Sequence, residues 1–425
     1  MTSMPTSTNG PQVPDRFDLF PELATSLFYW VERLHRTLVE QGVEQVFFLS
    51  REGQPLMRMF EAYRQKAGGR IALRYLEVSR RSTLLPSLAP LAEEGFETLF
   101  RQYRRMSLLE FLSSLGLEAQ AGDIARALGL ADGAESLRED DFPTSRTFTA
   151  LKALPPFVNL YESERRARRR AFVAYLSELA GGTPPARLVV VDVGWKGTIQ
   201  DNLFALLCRD GDTPVRSITG YYVGLVAEGA AGPGNDKHGL LFSAVGERSP
   251  RFRVFNENRA LFEVVLAADH GSIVSYEIDA AGHGRAIRGE FEEGEMLAAE
   301  VFPVQRHLLA HFRRLVEAMP AGGQGSPMPF DAVVSAHARM VFNPTPRENA
   351  WFSSVFHVEN YGVFERSYFS APGTRPGLLE RLRFLAGLLR RRGFGALGFW
   401  PWSTLNERGG ALPAAVYAAI RRRQY

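Results

Sequence analysis

Leu188-Val-Val-Val-Asp-Val-Gly-Trp-Lys-Gly-Thr198 decides how this chain folds. Leu188 to Val191, four apolar and mostly β-branched residues, predict a strand buried in the middle of a sheet. Asp192 then stands at the strand's carboxyl end. Gly194 and Gly197 permit a tight turn and the close approach of a ligand. Thr198 is placed to cap a helix over Ile199 to Cys208, whose first turn offers N–H groups. Strand, acid, glycine loop and helix start is the order in which open α/β sheets hold phosphate. It is equally the order of an ordinary strand-to-helix turn closed by a threonine cap.

The chain before this stretch has the same grammar. Phe17 to Glu40 shows helical spacing through Leu23, Leu27, Val31, Leu34 and Leu38, and Gly42 ends it. Val46 to Leu49 predicts a buried strand, Ser50-Arg-Glu-Gly53 a turn, and Gln54 to Lys66 a helix stopped by Gly68-Gly69. Leu73 to Val78 predicts a second strand, followed by Ser79-Arg-Arg-Ser82. This α-β-α-β order implies a parallel sheet covered by helices. No strand pattern follows until residue 155, and Ser107 is a good helix N-cap, so 83–155 reads as a helical insertion. Phe157 to Leu179 predicts a long helix whose run Glu162 to Arg170 is a solvated face with Glu–Arg pairs four residues apart. Ser217 to Leu225 adds a strand. Beyond Val226 the pattern loosens into helices over Asn256–Ala268, Glu295–Met319 and Phe330–Phe342, with a strand at Ile273–Tyr276 and a hairpin turn within 282–289. The expected organisation is a polar, Pro-rich disordered leader at 1–16 and an α/β core at 17–82 and 156–226. An α+β region at 227–374 and a tail at 375–425 complete it.

Composition narrows the class. The 425 residues are 45% hydrophobic and 23% charged, an ordinary globular mix. A net charge of +3 argues against a dedicated nucleic-acid binder. The charge is uneven: ten Arg and two Glu from Arg375 onward give the tail +8 and leave −5 on the rest. The single cysteine, Cys208, lies beside Phe204 and Leu207 and reads as a small core residue, in keeping with a cytoplasmic location. The leader lacks the basic start and apolar core of a signal peptide, and no apolar run reaches the ~18 residues of a membrane span. In the tail, Leu378, Leu382, Leu385 and Leu389 share one helical face, Arg383 and Arg390 to Arg392 lie mostly opposite, and Phe394, Phe399, Trp400 and Trp402 follow. Such a helix can lie on the inner face of an anionic membrane, or pack its leucines on the core with its arginines in solvent.

Two loops bring the chemistry together. Ser50-Arg51-Glu52-Gly53 and Asp192 to Thr198 both follow buried strands and precede helices, so a parallel sheet sets them at one edge, within reach of Arg80 and Arg81. That set suits a ligand with phosphates at two ends. Backbone N–H groups and Thr198 would hold one phosphate. Arg51 and Arg80 would grip the other in bidentate fashion, unless they simply pair with Glu52 or Glu77 at the surface. A transfer reaction also needs a base. Glu263, flanked by Phe262, Val264 and Val265, is the first candidate, with Glu52, Asp201, Asp269 and His270 behind it. No Cys/His cluster has zinc spacing and no Gly-x-Ser-x-Gly elbow is present, so no protein metal site is expected.

The order of these loops resembles the type I phosphoribosyltransferases. More closely, Phe48-Leu-Ser-Arg-Glu-Gly53, Tyr75-Leu-Glu-Val-Ser-Arg-Arg81 and Val191 to Thr198 resemble a group of bacterial polysaccharide-cluster proteins often fused to a haloacid-dehalogenase-type phosphatase. The turn Phe342-Asn-Pro-Thr-Pro346 before Glu348 also resembles that group. The resemblance implies a phosphoribosyltransferase-like parallel sheet. Its substrate would be phosphoribosyl pyrophosphate (PRPP), accompanied by Mg2+. Phosphoribose would pass to a surface-glycan acceptor, lipid-linked if the tail meets a membrane, and pyrophosphate would leave. It further implies that the loop Ser50, Arg51, Glu52 and Gly53 holds the pyrophosphate side and Gly194, Trp195, Lys196, Gly197 and Thr198 the 5-phosphate; the strand-end positions add Arg80 and Arg81 to the first group, and Asp192 and Glu263 are the catalytic candidates. The chain departs from the wider family at Val193, which stands where a second acid is usual, and at Trp195 and Lys196, which replace small residues. The phosphatase motif Asp-x-Asp is absent, since Asp192 is followed by Val193 and Gly194, so a separate phosphatase is expected. The rival expectations are a sugar-phosphate hydrolase and a PRPP- or nucleotide-binding scaffold without catalysis.

Overall fold

β3, Arg187–Asp192, is the central strand of a five-stranded, all-parallel sheet of order β2-β1-β3-β4-β5. β1 is Gln45–Leu49, β2 Ala72–Leu76, β4 Ser217–Leu225 and β5 Asn235–Ser243. The structure is a computed structural model describing residues 15–423, apart from 102, 231, 321, 323–326, 361–363, 369–375 and 391–396. Residues 1–14 of the expected leader, and Arg391, Arg392 and Phe394 in the tail, lie outside the described residues.

The two central strands are buried on both faces, which is why they read as unbroken apolar runs. Val46, Phe48, Val189 and Val191 pack under the helices Glu22–Glu40, Gly53–Ala67, Phe302–Glu317 and Phe330–Phe342. Phe47, Leu49, Leu188 and Val190 face Pro155–Ala180 and Thr198–Cys208. Burying such side chains contributes roughly 1.5–3 kcal/mol each. Phe47 sits opposite Val190 in register, so β1 and β3 end side by side. From β1 the chain proceeds outward to β2, and from β3 the other way to β4 and β5. That reversal opens a crevice at the carboxyl ends of β1 and β3.

Three features differ from the sequence expectations. β5 was not visible: its first half, Asn235-Asp-Lys-His, is polar, and only Leu240 to Phe242 reach the core. It is an edge strand, where polar residues are tolerated. The helix expected over Asn256–Ala268 is confined to Ala260–Val265, and a second short helix, Phe252–Phe255, precedes it across a turn holding buried Glu257 and Asn258. The Arg run of the 155–180 helix is only partly solvated. Arg168 donates to the carbonyls of Leu115 and Gly116 at 3.0 and 2.7 Å, fastening the insertion, while its pair with Glu164 has the expected spacing.

Between residues 84 and 161 a separate core forms around Phe96, Phe100, Phe111, Phe142 and Phe148. Ser107 caps its helix as expected, in a reciprocal box with Glu110. The hairpin Ile273–Ile278 and Gly284–Arg288 packs Tyr276 against Phe172 and Tyr175. Thr345 and Glu348 form another capping box, and Arg339 ties Glu348 to Glu22, so Thr345 and Glu348 of that turn hold two helices to the core.

Among the described residues the tail forms three helices, Leu378–Arg390, Pro401–Gly409 and Ala411–Arg423. Trp400 is buried and its indole donates to the Val341 carbonyl at 2.9 Å. The inward side of the first helix is Phe384, Leu385 and Leu388, whereas Leu378 and Leu382 are exposed, so the expected leucine face is only partly the buried one. Among the described residues, no helix is long and apolar enough to cross a membrane.

Candidate functional site

A cavity of about 730 Å³ opens at the carboxyl ends of β1 and β3, a size typical of small-molecule sites. Ser50, Glu52, Arg80, Asp192, Gly194, Trp195, Lys196, Gly197, Thr198 and Glu263 all line it. Ten residues singled out by their sequence position therefore share one chamber.

The β3 loop forms its floor. Asp192 is nearly buried, and one carboxylate oxygen accepts the Val193 N–H at 2.7 Å. Burial pushes its carboxyl well above the usual range, Glu52 adds repulsion, and Arg80 opposes both. Gly194 has φ +139°, and a Cβ there would lie 2.2 Å from the Gly224 carbonyl oxygen, so only glycine fits. The peptide bonds Ser50–Arg51 and Gly194–Trp195 are cis. Gly197, at φ +69°, takes the helix-cap position expected of Thr198. Thr198 becomes the first helical residue instead, on the cavity wall beside the first-turn N–H groups.

Glu263 faces this floor from the 260–265 helix. The Trp195 indole donates to its Oε1 at 2.7 Å, and the Trp195 ring is held between Phe242, at 5.7 Å, and the Arg259 guanidinium, at 5.5 Å. Burial first, and then the charge of Glu52, push the Glu263 carboxyl up to about 7; the Trp195 N–H, Arg80 and Arg259 pull the other way. Such a group changes charge near neutral pH, as a general base must.

The remaining candidates fall elsewhere. Arg51 turns away from the cavity and donates to Glu293 at 2.7 Å, in an ion pair with 10% and 6% of the side chains exposed. Arg81 pairs with Glu118. Both line a second cavity of about 390 Å³ beside the 273–288 hairpin. Breaking a buried pair such as Arg51–Glu293 costs about 3–5 kcal/mol, because it strands a charge. Gly53 starts the helix over β1, where a Cβ would meet the Phe48 backbone at 2.9 Å, so its role is packing. Ser50 lines the cavity, but its hydroxyl donates to the Val78 carbonyl at 2.6 Å and accepts the Val78 N–H, tying β1 to β2. Of the other bases considered, Asp201 pairs with buried Lys237 and accepts from Asn235. Asp269 is held by Gln54, and His270 by Tyr75. None of these three lines the cavity.

The outer wall was not foreseen. Phe252, Arg253, Asn256, Glu257, Arg259, Phe399 and Arg421 complete the cavity. Glu257 accepts the Trp402 N–H and the Tyr417 hydroxyl, each at 2.9 Å, with Arg421 at 3.9 Å. Burial pushes its carboxyl up to about 7. Nothing local to residue 257 signals a partner at 421; only the basic tail hinted at a role there.

Among the described residues, no group of three or more His, Cys, Asp and Glu is arranged to hold a metal ion. Glu52 and Asp192 nevertheless place carboxyl oxygens on the cavity wall, hard ligands that suit an Mg2+ ion that keeps its waters and arrives on substrate phosphates. Neither a protein-family model nor a curated protein matches the chain.

Proposed function

We propose that the sheet is of the phosphoribosyltransferase type and that the chain transfers phosphoribose from PRPP to a hydroxyl of a glycan acceptor. The observation carrying this reading is the single chamber at the sheet's switch point. It combines a helix start, a guanidinium and a carboxyl that titrates near 7. In this reading the Lys196–Thr198 segment and the helix start hold the 5-phosphate. Arg80, rather than Arg51, faces the pyrophosphate. Asp192 faces the ribose hydroxyls.

In the step itself the bond from C1 of the ribose to pyrophosphate breaks, and a bond from C1 to the acceptor oxygen forms. The acceptor proton passes to Glu263, and the bonding pair leaves with pyrophosphate. The transition state is oxocarbenium-like, so the Glu52 carboxylate on the cavity wall favours the charge that develops on the sugar ring. Mg2+, bound through the pyrophosphate, would neutralise part of the leaving group's charge. The cavity aligns the two reactants, which converts an encounter between molecules into a step within one complex.

Incubation with PRPP, with and without candidate glycan acceptors, tests the reading. Pyrophosphate release that depends on acceptor is the expected result. Release of inorganic phosphate would instead assign a hydrolase, and PRPP binding without turnover a sensing scaffold; either overturns transfer.

A further inference from the structure

The tail turns apolar side chains toward solvent where surface helices ordinarily present polar ones. Ten large hydrophobic residues are exposed among the described residues, and seven of them lie between 378 and 420. In the 411–423 helix, Ala414, Tyr417 and Ala418 face the protein. Leu412, Val416 and Ile420, four residues apart, are 78%, 53% and 51% exposed. Arg422 and Arg423 are exposed at its end. The 378–390 helix repeats the arrangement. Leu378, Leu379 and Leu382 are 75%, 71% and 55% exposed, and Arg383 and Arg390 are exposed on the same helix. Both helices pack on Pro401–Gly409, which is anchored by buried Leu405.

We propose that this face docks on an anionic lipid bilayer. Outward rows of Leu, Val and Ile suit the boundary between headgroups and acyl chains, and the accompanying arginines suit acidic headgroups. Charge decides between this partner and a second copy of the chain. A symmetric dimer through this face would set the exposed Arg383, Arg390, Arg422 and Arg423 of one copy against those of the other, whereas anionic lipid complements them. The surface differs from the one the sequence suggested. Trp400 is buried and Trp402 half-buried, and the 411–423 helix contributes a row that the sequence reading did not identify. Gly398, Phe399, Pro401 and Arg421 of the same tail line the main cavity, so docking would bring the cavity's outer wall close to the lipid surface. The proposal stands independently of the reaction performed inside.

Sedimentation of the full chain with phosphatidylcholine vesicles, with and without phosphatidylglycerol, tests it. Binding is expected only with phosphatidylglycerol, weakening as salt is raised. The Leu412→Gln/Val416→Gln/Ile420→Gln variant should lose at least about tenfold in partitioning, with an unchanged melting temperature because these side chains are exposed. Arg383→Gln and Arg423→Gln should each weaken it about fivefold. A full-length protein that stays in the supernatant with anionic vesicles at low salt overturns the proposal, as does equal binding by the triple variant. Lipid-free dimerisation in the ultracentrifuge that the triple variant abolishes would assign the face to a second copy, and also overturns it.

Discussion

Glu263 shows how one side chain acquires a property absent from its sequence position. It is an ordinary glutamate on a short helix until the fold sets it beside the β3 loop and brings the charge of Glu52 toward it. As the base, it must be ionised, so kcat/KM should fall on the acid side of about pH 7. Glu263→Gln should cost about 10²–10⁴-fold in rate. Trp195 is a positioning residue: its N–H lowers the Glu263 carboxyl. Trp195→Phe should therefore move the acid limb to higher pH while the rate above the limb is largely kept. A pH profile of each variant decides; an acid limb that persists in Glu263→Gln assigns the titration to another group.

At the scale of the element, the loop between β3 and its helix depends on backbone geometry. Gly194 and Gly211 both have positive φ, but only Gly194 would place a Cβ against backbone, at 2.2 Å from the Gly224 oxygen. Gly211→Ala meets nothing within 4 Å, so it should cost about 1–2 kcal/mol for the left-handed backbone alone. Gly194→Ala should cost clearly more, because either β4 or the loop must move as well. Urea denaturation of the two variants measures the difference; equal losses would mean the loop has room to adjust. The sequence revealed this loop because its requirements are local: an apolar run, an acid, and glycines at the turn. It did not show that Gly197 rather than Thr198 takes the cap position, since cap geometry follows from the approach of Lys237 and Tyr222 to the loop.

Across the whole molecule, Glu257 joins the tail to the cavity wall. Its ordinary carboxyl value is 4.5, and burial raises it to about 7 in the folded chain. Below 4.5 the group is protonated in both states and its stability contribution is fully present. Between 4.5 and 7 the unfolded chain ionises first, so stability falls as pH rises and then levels off. Glu263, shifted the same way, adds to that fall. Glu257→Gln removes one titrating group, so the loss of stability between pH 5 and pH 8 should be smaller than in the unaltered protein. Denaturation midpoints at the two pH values measure this, and an identical pH dependence would mean that Glu257 ionises freely.

The sequence by itself determined the elements whose signals are local. β1, β3 and β4, their following turns, the Ser107 cap and the parallel order all follow from apolar runs, glycines and capping residues within about ten positions of one another. Ten of thirteen candidate site residues also converge, nine of them because strands of a parallel sheet deliver their loops to one edge and Glu263 because the 260–265 helix packs over that edge. Tertiary structure alone decided where Arg51 and Arg81 point, since that depends on Glu293 and Glu118 from distant segments. It likewise decided that β5 is an edge strand. The meeting of residues 252–263 with residues 398–421 to close the cavity also belongs to the fold alone. Contacts between segments far apart in the chain leave no periodicity in it; they exist only once burial and charge pairing have selected one packing.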